Sequence, residues 1–186
     1  YGVLDMKGSA KKIVEAAIGT PAEHSVIFLA HNGPEGLGSE ISDICGRDWV
    51  HGGGDHGDPD LAQAIANLKR STQFPIPLVV FGHMHKELAY GNGLRRMIVV
   101  GNDDTVYLNG AIVPRVKVRG GRGHYPRIFG GDYNVQMALN STSTTLRAFT
   151  LVEILDGKLQ KISETWVSVK GNEIAIAEEN VLFSTV

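Results

Sequence analysis

The pattern of apolar and polar positions predicts a chain that alternates helices with short strands. Over residues 9–18, Ile13, Ala16, Ala17 and Ile18 gather toward one face while Lys11, Lys12 and Glu15 cover the other, a helix that Gly19 is placed to cap. Residues 25–30, Ser-Val-Ile-Phe-Leu-Ala, are apolar without alternation, which predicts a strand buried on both faces. Residues 35–57 are rich in glycine and acidic side chains and read as a long surface loop with at most one helical turn. Asp58-Pro59-Asp60 then starts a second helix with Asp58 as N-cap. Leu61, Ala64, Ile65 and Leu68 recur along it at helical spacing, Lys69 and Arg70 sit at its cationic end, and Phe74-Pro75-Ile76-Pro77 forbids continuation. A second buried strand is expected over 78–81, and shorter ones over 97–100 and 105–108.

The last third is less regular. Residues 116–145 have no period and carry several glycines and arginines and a Ser-Thr tract, so they read as a loop insertion without regular structure. Residues 147–155 and 159–169 predict a hairpin turning on Asp156-Gly157, and the pattern of 173–186 suits either a helix or a strand.

At 186 residues the chain is long enough for one domain with its own core, and the fold class expected is α/β. With 18 basic and 20 acidic residues there is no overall field to draw nucleic acid or an anionic membrane, so a phosphate ligand must be held locally. Cys45 is the single cysteine, which excludes an internal disulfide and a zinc–thiolate site and suits a reducing compartment. No apolar run approaches the ~20 residues a membrane-spanning helix needs, so a soluble protein is expected. A start at Tyr1-Gly2-Val3, without methionine or a leader, leaves processing, truncation and partial representation all open.

The chemistry concentrates where two predicted strands end. One runs into His31-Asn32-Gly33-Pro34, the other into Gly82-His83-Met84-His85, and open α/β sheets bind their ligands beyond the carboxyl ends of strands. In an extended segment positions i and i+2 share a side, so His83 and His85 are expected to face one cavity while Met84 turns into the core, with glycine at 82 letting backbone approach closely. Asn32 is a candidate to touch a phosphate, and so is Arg115, the first of a series continued by Arg119, Arg122 and Arg127; a tight turn and a solvated basic loop explain these residues equally. Asp55, His56 and Asp58 admit both a ligand role and a glycine loop ending in a helix start, while His24, His51 and His124 read as exposed loop residues.

A lone histidine after one strand and a Gly-His-x-His after a later one, 52 residues on, resemble the C-terminal half of the calcineurin-like metallophosphoesterases. The resemblance covers about 25–115 and 147–169, and the wording Gly53-Gly54-Asp55-His56-Gly57-Asp58-Pro59-Asp60 is similar to a branch found in cyanobacteria and plant plastids. It implies a four-layer α/β/β/α sandwich of which this chain, residues 1–186, is the C-terminal portion. His31 and His83 would ligate one of two divalent ions (manganese, iron or zinc) and His85 the other, for hydrolysis of a phosphate ester in cytoplasm or plastid stroma. The ions would polarise the phosphoryl oxygens and activate a water. The family's earlier motifs, Asp-x-His, Gly-Asp and Gly-Asn-His-Asp/Glu, do not precede His31. Gly101-Asn102-Asp103-Asp104 mimics the last of them but reads as a strand-connecting turn. No catalytic acid or base is therefore assigned, and the chain alone is expected to be inactive. The alternative is an inactive family member or fragment that serves as a structural subunit, its exposed sheet covered by a partner chain.

Overall fold

The computed structural model describes residues 2–118 and 145–185. Its elements are α1 (Met6–Ala17), β1 (Ile27–Leu29), α2 (Pro59–Ser71), β2 (Leu78–Phe81), β3 (Ile98–Val100), β4 (Val106–Asn109), β5 (Val116–Val118), β6 (Thr145–Leu155), β7 (Lys158–Lys170) and β8 (Glu173–Ser184). They make a mixed α/β structure with two sheets. The first has the order β1-β2-β4-β3, with β1, β2 and β4 parallel and β3 antiparallel to β4; the second is the antiparallel series β5-β6-β7-β8.

Alternation along β2 fixes the layering, since neighbouring side chains of a strand point to opposite faces. Val79 and Phe81 pack with Ala17 of α1 and with Leu61, Ile65 and Leu68 of α2. Leu78 faces the other way and joins Val106, Leu108, Leu159 and Ile162, so the second sheet covers the opposite face. α2 follows its predicted pattern, with Leu61, Ala64, Ile65 and Leu68 all buried. The hairpin turn also forms as expected, with φ of 49° at Asp156 and 73° at Gly157, the paired positive values of a two-residue turn that matches strand twist. Among the described residues no helix lies over the outer face of the second sheet, where Phe149, Leu151, Ile174 and Ile176 are exposed. No described helix is long and apolar enough to cross a membrane.

Several expectations are corrected. α1 begins at Met6 because Asp5 caps it, its Oδ1 accepting from the Gly8 amide at 2.7 Å; Ile18 rather than Gly19 closes it, and Gly19 takes no left-handed conformation. β1 is an edge strand rather than a strand buried on both faces: it pairs with β2 alone, and Ile27 and Leu29 are exposed. An unbroken apolar run therefore signalled sheet membership but not depth. Asp58 is the N-cap residue of α2, yet its carboxylate makes no capping hydrogen bond. Within 116–145 the first three residues form β5 and Thr145 opens β6, because Val116–Val118 pair with 145–147; positions 119–144, with Arg119, Arg122, His124 and Arg127, lie outside the described residues. The ambiguous 173–186 stretch is mostly β8, held against β7.

The loop of residues 35–57 is not simply superficial. Ile44 and Cys45 are fully buried and belong to the core under α2, and Asp43 and Gly46 are buried beside them. A buried loop needs partners for its backbone carbonyls. Arg95 provides them: Nη1 donates at 2.7 Å to the carbonyls of both Asp43 and Gly46. Backbone bonds from Arg47 to Gly54 (2.9 Å), Gly54 to Ser39 (2.6 Å) and His56 to Cys45 (2.9 Å) fasten the rest.

Candidate functional site

β1 and β2 are parallel, with Leu29 opposite Val80, and each is followed two residues later by a histidine. The ladder continues beyond the strands, since Ala30 donates to Val80 at 2.9 Å and Gly82 to the His31 carbonyl at 3.1 Å. That continuity brings the His31 and His83 rings to 4.8 Å between centroids, tilted by 59°. His56, from the end of the glycine loop, stacks on the far side of His83 at 5.5 Å and 25°, and Trp49 stands perpendicular to His56 at 5.1 Å. His31 and His83 are thus part of a row of four rings running from the strand ends to the loop.

The row borders a cleft of about 560 Å³ whose walls include Asp48, Trp49, His56, His83, His85 and Arg95. His83 and His85 do share one cavity, and Met84 between them is buried, but the segment is not extended. His83 has φ of +64°, a left-handed conformation that costs energy in a residue with a Cβ. The sharing comes from a bend, not from strand alternation. Gly82 is also not demanded by crowding, because a Cβ there would meet nothing nearer than 3.8 Å. The glycine that geometry requires is Gly33, where a Cβ would lie 2.6 Å from Cys45 Sγ and from the Phe81 ring.

Electrostatics separate the members. His83 faces solvent, but partial loss of hydration pushes its pKa below the usual 6.5, and His31 and His56 push the same way while Asp58 opposes them. The ring is therefore biased toward the neutral form that ligates metals. Burial, with the Asp55 charge second, drives the Cys45 thiol up to about 12, which makes it an inert core group. Burial also lowers the pKa of Arg95, and Asp48, 3.3 Å from Nη2, pulls it back.

The remaining candidates are structural. Asn32 is buried, its Nδ2 donating to the His56 carbonyl at 2.6 Å and its Oδ1 accepting from Gly33 at 2.9 Å, so its amide joins the two histidine-bearing loops. Arg115 is exposed, lies outside the cleft walls and reaches the Gly110 carbonyl at 3.3 Å. Asp55 accepts from the amides of Gly36 and Gly57, both at 2.7 Å, and serves as a loop clasp. Asp103 pairs with Lys69 at 2.5 Å in the turn between β3 and β4, as a connecting turn requires. His51 is exposed. Sequence reasoning missed Trp49, Asp48 and Arg95. An unpaired tryptophan inside a glycine-rich loop was an available signal for the first, whereas nothing local marks an arginine whose partners lie about fifty positions away.

Compared with protein-family profiles, curated proteins and solved structures, the chain finds no match. Function must therefore be argued from the ring cluster. As a metal site its donors fit in part: His31 and His83 adjoin and His85 lines the same cleft, but among the described residues no three His, Cys, Asp or Glu side chains gather as a complete ligand set.

Proposed function

We propose that this chain is the histidine-donating half of a metal-dependent phosphoesterase, completed by carboxylate ligands that residues 1–30 do not supply. The observation that carries the reading is the meeting of His31 and His83 at the ends of adjacent parallel strands, with His85 in the same cleft. Two imidazoles 4.8 Å apart between ring centres are close enough to share an ion or flank a pair. His31 and His83 would hold one divalent ion of the manganese, iron or zinc type and His85 the second. When bound, such ions supply Lewis-acid activation of the phosphoryl group and of water. The protein's own part is to hold the rings: the Gly82–His31 ladder sets their spacing, Asn32 ties the His31 turn to the His56 turn, and Arg95 fastens the His85 carbonyl.

Two features support a half rather than a finished unit. β1 has a pairing partner on one side only, and its own Ile27 and Leu29 are exposed. The outer face of the second sheet is apolar and exposed at Phe149, Leu151, Ile174 and Ile176. Further strands beyond β1, and a helical layer or partner chain over the second sheet, would complete a four-layer sandwich. Among the described residues no carboxylate gathers with the three histidines as a bridging ligand, and the chain alone is expected to be inactive.

The test is manganese-dependent hydrolysis of an aryl phosphate by the 186-residue chain and by a version extended upstream through the carboxylate motifs. The extended protein is expected to turn over and to lose activity with chelator and on His83→Ala. Appreciable turnover by the 186-residue chain would contradict the incomplete-site reading, and an inactive extended protein would contradict the phosphoesterase reading itself.

A further inference from the structure

Trp49 is the least explained large side chain of the cleft. A buried tryptophan is among the largest hydrophobic contributions a side chain makes, yet this one is 49% exposed on the cleft wall. A loose loop is not the reason. Its neighbour Asp48 is fixed by the Ala89 amide at 2.7 Å and by Arg95, and the flanking chain is closed by the bonds from Arg47 to Gly54 and from Gly53 to Val50. The indole is therefore held at the mouth of the cleft by an ordered backbone, with His56 set perpendicular to it and His83 next in the row. The volume of about 560 Å³ is that of a small-molecule site. Charge on the walls narrows the class. Arg95 is buried, its charge faced by Asp48 at 3.3 Å although Nη2 makes no hydrogen bond, while the other charged side chain there is Glu87, which is exposed and repels an anion. The exposed indole, with an acidic side chain on the same wall, suits a planar ring at this end of the cleft better than an anion.

Resting on the phosphoesterase reading, we infer that Trp49 is a substrate-positioning residue that stacks the planar aromatic part of a phosphate monoester, a nucleobase or an aryl group, while the phosphate lies toward His83. The ring of the substrate takes the indole surface now facing water, and the row of histidines carries the molecule inward to its reacting end. Stacking of one base on an aromatic side chain is worth ~1–3 kcal/mol, so replacing Trp49 weakens binding about 5- to 150-fold.

The experiment uses the intact chain labelled with 5-fluorotryptophan. The sequence has two tryptophans, Trp49 and Trp166, and Trp166 stacks under the Lys117 ammonium in the second sheet, so fluorine NMR reads the two separately. Adenosine monophosphate, phenyl phosphate, adenosine and ribose 5-phosphate are titrated in turn, with Trp49→Leu and Trp49→Phe as variants. Expected is a saturable shift of the Trp49 resonance alone with both ring-bearing phosphates and with adenosine. Ribose 5-phosphate leaves it unmoved, Trp49→Leu weakens ring binding within the stated range, and Trp49→Phe restores most of it. A stronger response to adenosine monophosphate than to phenyl phosphate identifies the ring as a nucleobase, and the reverse order as a simple aryl group. The inference is overturned if none of the ring compounds binds, or if ribose 5-phosphate binds as well as adenosine monophosphate and Trp49→Leu changes neither. Failure of the underlying reading is read separately, on the protein extended upstream and loaded with zinc: there adenosine binds as tightly as its monophosphate, His83→Ala has no effect on either, and the ring site stands without the phosphate site.

Discussion

Arg95 donates through Nε to the carbonyl of His85 at 2.9 Å, while the same guanidinium binds the carbonyls of Asp43 and Gly46 in the buried loop. One planar fork thus holds the histidine turn to the buried loop, a geometry that lysine cannot copy. Arg95 is 3% exposed, and Asp48 offsets its charge. Arg95→Ala is expected to lower stability by about 3–5 kcal/mol, because the carbonyls and Asp48 lose their partner together. Urea unfolding measures it, and Arg95→Lys should recover less than half of the loss. A fall below ~1 kcal/mol for the alanine variant would show that water replaces the fork.

Two glycines of the histidine turns make opposite predictions. Gly33→Ala puts a methyl group 2.6 Å from Cys45 Sγ and the Phe81 ring, both in the core, and should cost roughly 1–3 kcal/mol. Gly82→Ala meets only ordinary contacts at 3.8 Å and beyond, and should change stability by no more than ~1 kcal/mol in either direction. Adding Cys45→Ala to Gly33→Ala should relieve part of the clash, and thermal melts of the three variants decide the matter.

The contrast between these glycines shows what could be read from the chain beforehand. Gly82 looked essential because it borders a histidine motif, whereas the requirement at Gly33 comes from Cys45 and Phe81, twelve and 48 positions away. α2, β2 and the hairpin were legible because their apolar periodicity or turn residues are local signals that tertiary packing left in force. β1 was misjudged in depth because an apolar run does not say whether both faces of the strand are covered: Phe28 packs against the core while Ile27 and Leu29 are exposed. The convergence of His31 and His83 could be foreseen from strand ends alone. The cleft could not, since Trp49 and Asp48 reach it through a loop whose path is set by long-range bonds, from Arg95 to the carbonyls of Asp43 and Gly46 and from the Ala89 amide to the Asp48 carboxylate.

His83 should titrate below 6.5, chiefly through partial loss of hydration and then through the adjoining His31 and His56. With the folded pKa depressed, the unfolded chain binds the proton more readily. The stability this residue contributes is whole above ~6.5 and is lost as pH falls toward the folded value. In chelator-treated protein, the His83 ring resonance followed by NMR should titrate below 6.5, and His31→Gln should raise it. A His83 resonance that titrates at or above 6.5 would mean that the rings do not feel one another.

The left-handed backbone at His83 makes the last prediction. A φ of +64° costs a residue with a Cβ about 1–2 kcal/mol, and such strain persists where the surroundings hold it in place. Here the holding groups can be named: Gly82 is bonded to His31, and Met84 is buried with its carbonyl accepting from Asn109 Nδ2 at 2.7 Å. His83→Ala and His83→Gly both remove the imidazole, so the loss of ring contacts with His31 and His56 is common to the two. They differ in the strain, which glycine relieves, and in the unfolded-chain entropy, which costs glycine about 0.5–1 kcal/mol. Strain should prevail, leaving His83→Gly more stable than His83→Ala by roughly 0.5–1 kcal/mol in urea unfolding, whereas at an ordinary loop position the order is reversed. An alanine variant as stable as the glycine one would show that the bend carries no strain, and that the histidine sits there without cost to the fold.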